Sequence, residues 1–447
     1  MIGRNEYIRN KAKTKEERMI SGSTITAVTA REVFSDRGHP GVECTVVTEN
    51  GAKGVALVTA GVSVGEYEVQ FAYDGGEKWG GRGVQKAVRN VEDIIGPALI
   101  GLDAGRQLEV DQAIIDVDGT ATKSNLGGNA TASASAATLF AGAASLGIPL
   151  YQHIGGVNAC TLPVPGVITL IGSHRYGGGA RSGGKPSYSM ICYGFETFSE
   201  AAYNCWLVQK EFARLIDTKF NMYTNRGWGI VHPGMVESDQ ELWDLMVDAI
   251  ENTGNDGKVG IQVDVAAGTY YDKGTERYVG IFSTEDKTRD DMMRLYEDAV
   301  RNYPFVIIED PLDENDYEGH ALLTRELGIQ IVGDDLFTTN TERLQQGLDI
   351  GAANCMLLKV NQIGTISEAF DAVRMCYANG YAVMPCDSRG EGSNIADYCV
   401  GLNTGHLREG GVGVVGNRFL EIEAELGSRA KFAGRAGFKP NGVTRAG

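Results

Sequence analysis

Residues 305–365 read "FVIIEDPLDENDYEGHALLTRELGIQIVGDDLFTTNTERLQQGLDIGAANCMLLKVNQIGT". Short apolar, β-rich runs alternate here with longer stretches of helical period, the pattern of parallel βα units. The runs end on charged side chains, Glu309, Asp334 and Lys359, spaced 25 residues apart. One unit therefore occupies that interval, and the three residues fall on adjacent strands at one height. Lys359 closes the run Met356, Leu357, Leu358. A lysine there either lays its stem along the strand with its amine in water or is buried with a partner.

The alternation extends in both directions, from "GKVGIQVDVAAG" and the helix "RDDMMRLYEDAVRNY" to "YAVMPCDSRGEG" and the helix "NIADYCVGLNTG". So many consecutive units favour a closed α/β barrel over an open sheet. The earlier part of the chain reads differently. "TITAVTAREVF", "SDRGHPG" and "VECTVVTENGAKGVALVTAG" give an antiparallel meander, followed by helical patterns in "GVQKAVRNVEDIIGPALIG" and an Ala-rich segment ending near Gly147. The expected organisation is a charged extension (1–23), an α+β capping domain (24–155), a β/α barrel (156–430) and a tail (431–447).

With 43% hydrophobic and 22% charged residues, the 447-residue chain is globular with room for two domains. A net charge of −17 disfavours nucleic acid and anionic membrane as partners. It still admits a small anionic substrate, because local cations or a metal reverse the sign within a pocket. The eight cysteines are scattered without a CxxC, which fits a reduced cytoplasmic protein. The first twenty residues have no apolar core of a signal peptide, and no stretch reaches the length of a spanning helix.

In β/α barrels the active site lies at the C-terminal strand ends, where Asp264 ("IQVDV"), Glu309 and Asp334 stand. Three converging carboxylates call for a hard divalent cation, most simply Mg²⁺. Lys359, beside that charge and partly buried, should have its pKa lowered towards that of a working base. A carboxylic acid held by the metal would have its α-proton acidified and its enediolate stabilised.

From about Thr24 to Gly427 the chain resembles the enolase family, through "AREVFSDRGHPGVE", "AGVSVGEYE", "PALIGLDAGRQLEVDQAIIDVDGT", "LGIPLYQHIGG", "DGKVGIQVDVAA", "IIEDPLDEND", "VGDDLFTTN" and "LLKVNQIGT". The resemblance implies an enolase-type modified TIM barrel with a capping domain, and Mg²⁺-dependent loss of water from 2-phosphoglycerate. It implies Asp264, Glu309 and Asp334 as metal ligands and Lys359 as base. Ser63 matches a mobile loop that closes on substrate and supplies a second-metal ligand, and His174, in "GSHR", a histidine beside the substrate. A homodimer, or a multiple of it, is the implied assembly.

The departures from the family cluster at the site. The family's acidic "GDEGG" is "NRGWGIVHP" here, which puts Trp228 at the glutamate's position, and "QEFMI" is "SYSMI", which puts Tyr188 at a second one. "SHRS" becomes "CDSR", so Asp387 replaces the histidine and the phosphate-binding pair is reversed as Ser388 and Arg389. The later lysine matches Arg408 in "NTGHLREG". Tyr188, Asp387 and His232 are the candidates for a replacement proton donor. The glycine-rich "YGGGARSGGK" (176–185) reads either as a surface loop or as a mouth enlarged for a bulkier substrate. These features suggest a divergent enolase-like lyase acting on a 2-phosphoglycerate-like acid. The alternatives are a dehydratase of the carboxyphosphonoenolpyruvate-synthase type, in phosphonate biosynthesis, and a non-catalytic relative that binds.

Overall fold

The computed structural model describes residues 22–35, 38–61, 64–172, 174–221 and 227–438. Three antiparallel strands come first, β1 (Ile25–Phe34), β2 (Pro40–Thr48) and β3 (Lys53–Thr59), in the order β1-β2-β3. Helices α1 (Gln107–Asp118) and α2 (Gly128–Leu146) complete this cap. The Ala-rich α2 is buried along nearly all its length. Small side chains let it lie directly on the sheet: a Cβ on Gly54 of β3 would stand 2.0 Å from the Ala137 carbonyl oxygen.

Eight strands form the ring of the second unit, with Gly229–Ile230 paired to β4 off the ring: β4 (Val164–Ile171), β5 (Ser187–Cys192), β6 (Val259–Asp264), β7 (Phe305–Glu309), β8 (Gln330–Gly333), β9 (Cys355–Leu358), β10 (Ala382–Pro385) and β11 (His406–Gly410). Their order is β10-β9-β8-β7-β6-β5-β4-β11. A parallel bridge between Val383 of β10 and Gly405, next to β11, joins the two ends into a barrel. The outer helices are α3 (Phe198–Phe220), α4 (Gln240–Asn252), α5 (Arg289–Asn302), α6 (Tyr317–Leu327), α7 (Thr341–Ile350), α8 (Ile366–Ala378), α9 (Asn394–Leu402) and α10 (Gly413–Leu426). Local signals set their starts. Thr288 and Asp291 form a reciprocal capping box at α5, and Asn340 accepts two backbone N–H groups at α7. Such caps contribute about 1 kcal/mol each.

One strand departs from the expected run of parallel units. β5 is antiparallel to both β4 and β6. Its beginning, not its end, therefore lies at the rim where the parallel strands finish, and Ser187 pairs with Asp264. Alternation along each strand separates two cores. Ile191, Ile307, Val332, Cys355, Leu357 and Met384 fill the barrel interior. Tyr188, Met190, Ile308, Met356 and Leu358 belong to the layer shared with the helices and cap. Residues 431–438, expected to lie in the tail, pack onto the barrel: Lys431 and Phe432 pair with Thr161 and Leu162, and Phe438 joins the interior cluster.

The cap docks on the strand-end rim. The Asn361 amide donates to the Thr59 carbonyl at 2.9 Å, and the Val69 N–H donates to the Gln362 carbonyl at 3.0 Å. The Tyr67 hydroxyl donates to Asn315 at 2.8 Å, and the Arg343 guanidinium lies 3.7 Å from the Tyr67 ring centre. Among the described residues no single helix is long and apolar enough to cross a membrane.

Candidate active site

The register of the parallel strands brings the charged side chains together. Glu309 is the register partner of Asp264, and Asp334 and Lys359 each follow the last residues of their strands. All four are buried. The Lys359 ammonium donates to one Asp334 oxygen and the Gln362 amide to the other, at 2.8 Å. Burial pulls the Lys359 pKa down, but the Asp334 carboxylate outweighs it and the net shift is upward. In this pairing the Asp334 carboxylate favours the Lys359 ammonium; the expected lowering was for a lysine beside the cation. Burial would likewise raise the Asp334 pKa, yet Lys359 and Arg389 bring it below the ordinary carboxylate range.

Asp264 is paired twice, with Arg408 from β11 and with Lys185. Arg408 also approaches Glu309 at 3.6 Å and Glu409 at 3.1 Å. Glu309 is fully buried, and among the described residues its Oε1 has no hydrogen-bond partner. A buried carboxylate oxygen costs free energy unless something pairs with it. Hard oxygen donors on three adjacent strand ends, one of them orphaned, fit a divalent cation such as Mg²⁺. Among the described residues the acids whose oxygens lie within 4.8 Å of one another are Asp310, Asp334 and Asp335, a group that shares Asp334 but not Asp264 or Glu309. Asp310 accepts the backbone N–H groups of Asp334 (3.0 Å) and Asp335 (2.8 Å), which fixes the turn after β8. Burial first raises the pKa of both Asp310 and Asp335 well above normal, with Asp335 and Asp334 adding to it for Asp310 and Asp334 for Asp335.

Lys185 was not among the residues singled out from sequence. It is the last residue of the glycine-rich loop and directly precedes Pro186 and β5. Burial first, then Arg408 and Lys359, bring its pKa to about 7. The loop is packed rather than spread as an enlarged mouth. A Cβ on Gly178 would stand 1.7 Å from the Val279 carbonyl oxygen, and one on Gly179 would meet the Tyr270 ring at 2.2 Å. Buried Arg175 pins its start through Asp239 at 3.1 Å and the Gly172 and Pro186 carbonyls. The Tyr270 hydroxyl donates to the Lys185 carbonyl at 2.5 Å.

Tyr188 is turned away from this cluster. Its hydroxyl donates to Asp239 at 2.6 Å and accepts from the Trp243 indole at 2.9 Å, in the layer outside the barrel. The physical reason is parity: residues 187, 189 and 191 face one side of the strand and 188 the other. That position corrects its selection as a proton donor. Asp387, just beyond β10, is half-buried, and burial with Glu409 and Glu391 raises its pKa to about 7. Ser388 accepts a weak bond from the Cys386 thiol at 3.1 Å.

Arg389 is buried and grips Glu68 with two hydrogen bonds of 2.8 and 2.6 Å. Glu68 sits in the quoted "AGVSVGEYE", where only Ser63 had been assigned a role. Ser63 itself lies outside the described residues. His174 and His232 are exposed, and Trp228 is half-buried just before the two-residue strand Gly229–Ile230. A cavity of about 450 Å³ lined by Glu68, Tyr73, Arg82 and Arg389 adjoins the cluster.

A barrel with one reversed strand, a docked α+β cap and an array of acids with a lysine at the strand ends is a site equipped for acid–base chemistry. Comparison with known proteins gives the family. The enolase N-terminal domain matches residues 25–154, and the enolase C-terminal TIM barrel domain matches residues 159–441. The enolase of Methanopyrus kandleri is 41% identical over 93% of this chain and 99% of its own length. Those of Methanococcus aeolicus (39%, 92% and 97%) and Bifidobacterium longum (39%, 93% and 98%) are similar. The chain belongs to the enolase family, and it is a carbon–oxygen lyase of the phosphopyruvate hydratase-like kind.

Proposed function

We propose that the protein carries out a Mg²⁺-dependent β-elimination of water from a 2-phosphoglycerate-like acid, giving an enolpyruvate product. The observation that carries this reading is the buried Lys359–Asp334 pair beside Asp264 and the orphaned Glu309 oxygen. Asp264, Glu309 and Asp334 would hold the cation, and its charge, when bound, acidifies the substrate's α-carbon and stabilises the enediolate. Lys359 takes the α-proton once Asp334 is neutralised by something other than the lysine. Gln362 keeps Asp334 oriented through that exchange. Arg408 and Ser388 would orient the substrate's anionic groups, and the buried surroundings exclude water. The reading takes the protein as a cytoplasmic homodimer on family likeness, and light scattering tests the assembly.

The test is incubation with Mg²⁺ and 2-phosphoglycerate in deuterated water. Deuterium should appear at the α-carbon and phosphoenolpyruvate should form. Lys359→Ala should lower both by about 10²–10⁴-fold. Exchange that survives in Lys359→Ala refutes the assignment of the base.

A second reading is favoured by one observation. Arg389 is engaged by Glu68 rather than turned outward, and the adjoining cavity of about 450 Å³ adds Arg82 and Tyr73. That space suits a bulkier phosphono-carboxylate, as in a carboxyphosphonoenolpyruvate-synthase-type dehydratase. Turnover of such an acid in preference to 2-phosphoglycerate would decide for it.

A further inference from the structure

The elimination needs a group to receive the departing oxygen on the side of the substrate away from the base, and the family's glutamate position is occupied by Trp228. An indole N–H does not give up its proton in this range, so the donor lies elsewhere. The ring order supplies a geometric criterion. Counting from β9, which carries Lys359, β5 is the fourth strand in either direction around the eight. The start of β5 is therefore diametrically opposite the base, with the acid-bearing strands β6, β7 and β8 forming one arc between them.

The side chain at that place is Lys185. It directly precedes Pro186 and β5 and lies against Asp264 with 16% of its side chain exposed. The other candidates fail the criterion. Asp387 follows β10, the strand next to Lys359, so it approaches from the base's own side. Tyr188 is committed to Asp239 and Trp243 outside the barrel, and His232 is exposed. The packed glycines and the Arg175–Asp239 pair give Lys185 a fixed support.

The geometry points to Lys185 as a second catalytic residue, the cationic hydrogen-bond donor that meets the departing β-oxygen across the substrate from Lys359. This rests on the elimination reading above. Lys359 takes the α-proton, the pair left on the α-carbon forms the new double bond, and the β-carbon–oxygen bond breaks. The departing oxygen takes one proton from the Lys185 ammonium and leaves as water. The step ends with Lys359 protonated and Lys185 neutral, and no oxidant or reductant is involved.

The experiment compares wild type, Lys185→Met and Lys185→Arg in deuterated water with Mg²⁺ and 2-phosphoglycerate, scoring α-exchange and phosphoenolpyruvate formation separately. Thermal melting with and without Mg²⁺ checks folding and metal binding. Lys185→Met should keep exchange within a few-fold of wild type and lower product formation by about 10²–10⁴-fold. Lys185→Arg preserves a charge against Asp264 but does not release a proton, so product formation should stay low with exchange retained. Equal loss of exchange and product in Lys185→Arg, or product formation unchanged in either variant, overturns the inference. Wild-type protein that shows neither exchange nor product removes the elimination reading and this inference with it.

Discussion

Glu68→Ala should destabilise the protein more than any change on its surface. The carboxylate belongs to the segment that leaves the cap, Arg389 to the barrel, and both side chains are 2% exposed. Two hydrogen bonds to a charged partner, at about 1.5–3 kcal/mol each, give about 3–6 kcal/mol. Removing one member of a buried pair costs about 3–5 kcal/mol by comparison with other proteins, so we expect a loss in that shared range. Part of it is the cost of a buried guanidinium deprived of its main carboxylate. Burial acts to lower the Arg389 pKa, and Glu68 and Asp334 together outweigh it. Replacing both partners, in Glu68→Ala with Arg389→Leu, should therefore recover much of the loss, with a coupling of about 2–3 kcal/mol. Urea unfolding of wild type, the two single variants and the double variant measures this. Single losses that add within about 0.5 kcal/mol would refute the pair as the clamp between cap and barrel.

Further outcomes follow from other contacts. Tyr188→Phe should cost about 1–3 kcal/mol, because Asp239 loses a buried donor, while leaving kcat unchanged; a large fall in kcat would return Tyr188 to the chemistry. His406, fully buried, has its pKa lowered by burial to about 4 from 6.5. Its folded value lies below the unfolded one, so the unfolded chain takes the proton first and stability should fall as pH drops from 6.5 to 4. The full effect is about 3 kcal/mol, and urea midpoints across that window measure it; a flat profile would refute it. Mg²⁺ at a hundredfold excess over its dissociation constant should stabilise the fold by about 2.7 kcal/mol. Glu309→Gln should abolish most of that shift in a melting experiment.

Much of this fold was legible because one βα unit repeats at a constant length. The interval of 25 residues places Glu309, Asp334 and Lys359 on neighbouring strands, and apolar runs before each imply burial. Direction is what the pattern does not encode. "SYSMICY" has the same apolar alternation whether its strand runs up or down, so the reversal of β5 was hidden, and with it the arrival of Lys185 at the rim. Parity was legible but overridden. Matching Tyr188 to a family glutamate ignored that it alternates with two serines, the small residues that face the interior. The charge state of Lys359 was illegible for another reason. It depends on whether Asp334 meets the lysine alone, and that distance belongs to the folded chain.

The reversed strand has a consequence for what holds its rim residue in place. The seven parallel strands present their last residues to the rim, so each side chain there is tied to the register of the strand beneath it. At β5 the rim is reached at the first residue, after a loop anchored by Arg175 and by glycines against Val279 and Tyr270. The group facing the acids here, Lys185, is therefore placed by the packing of its loop and not by the register of a strand.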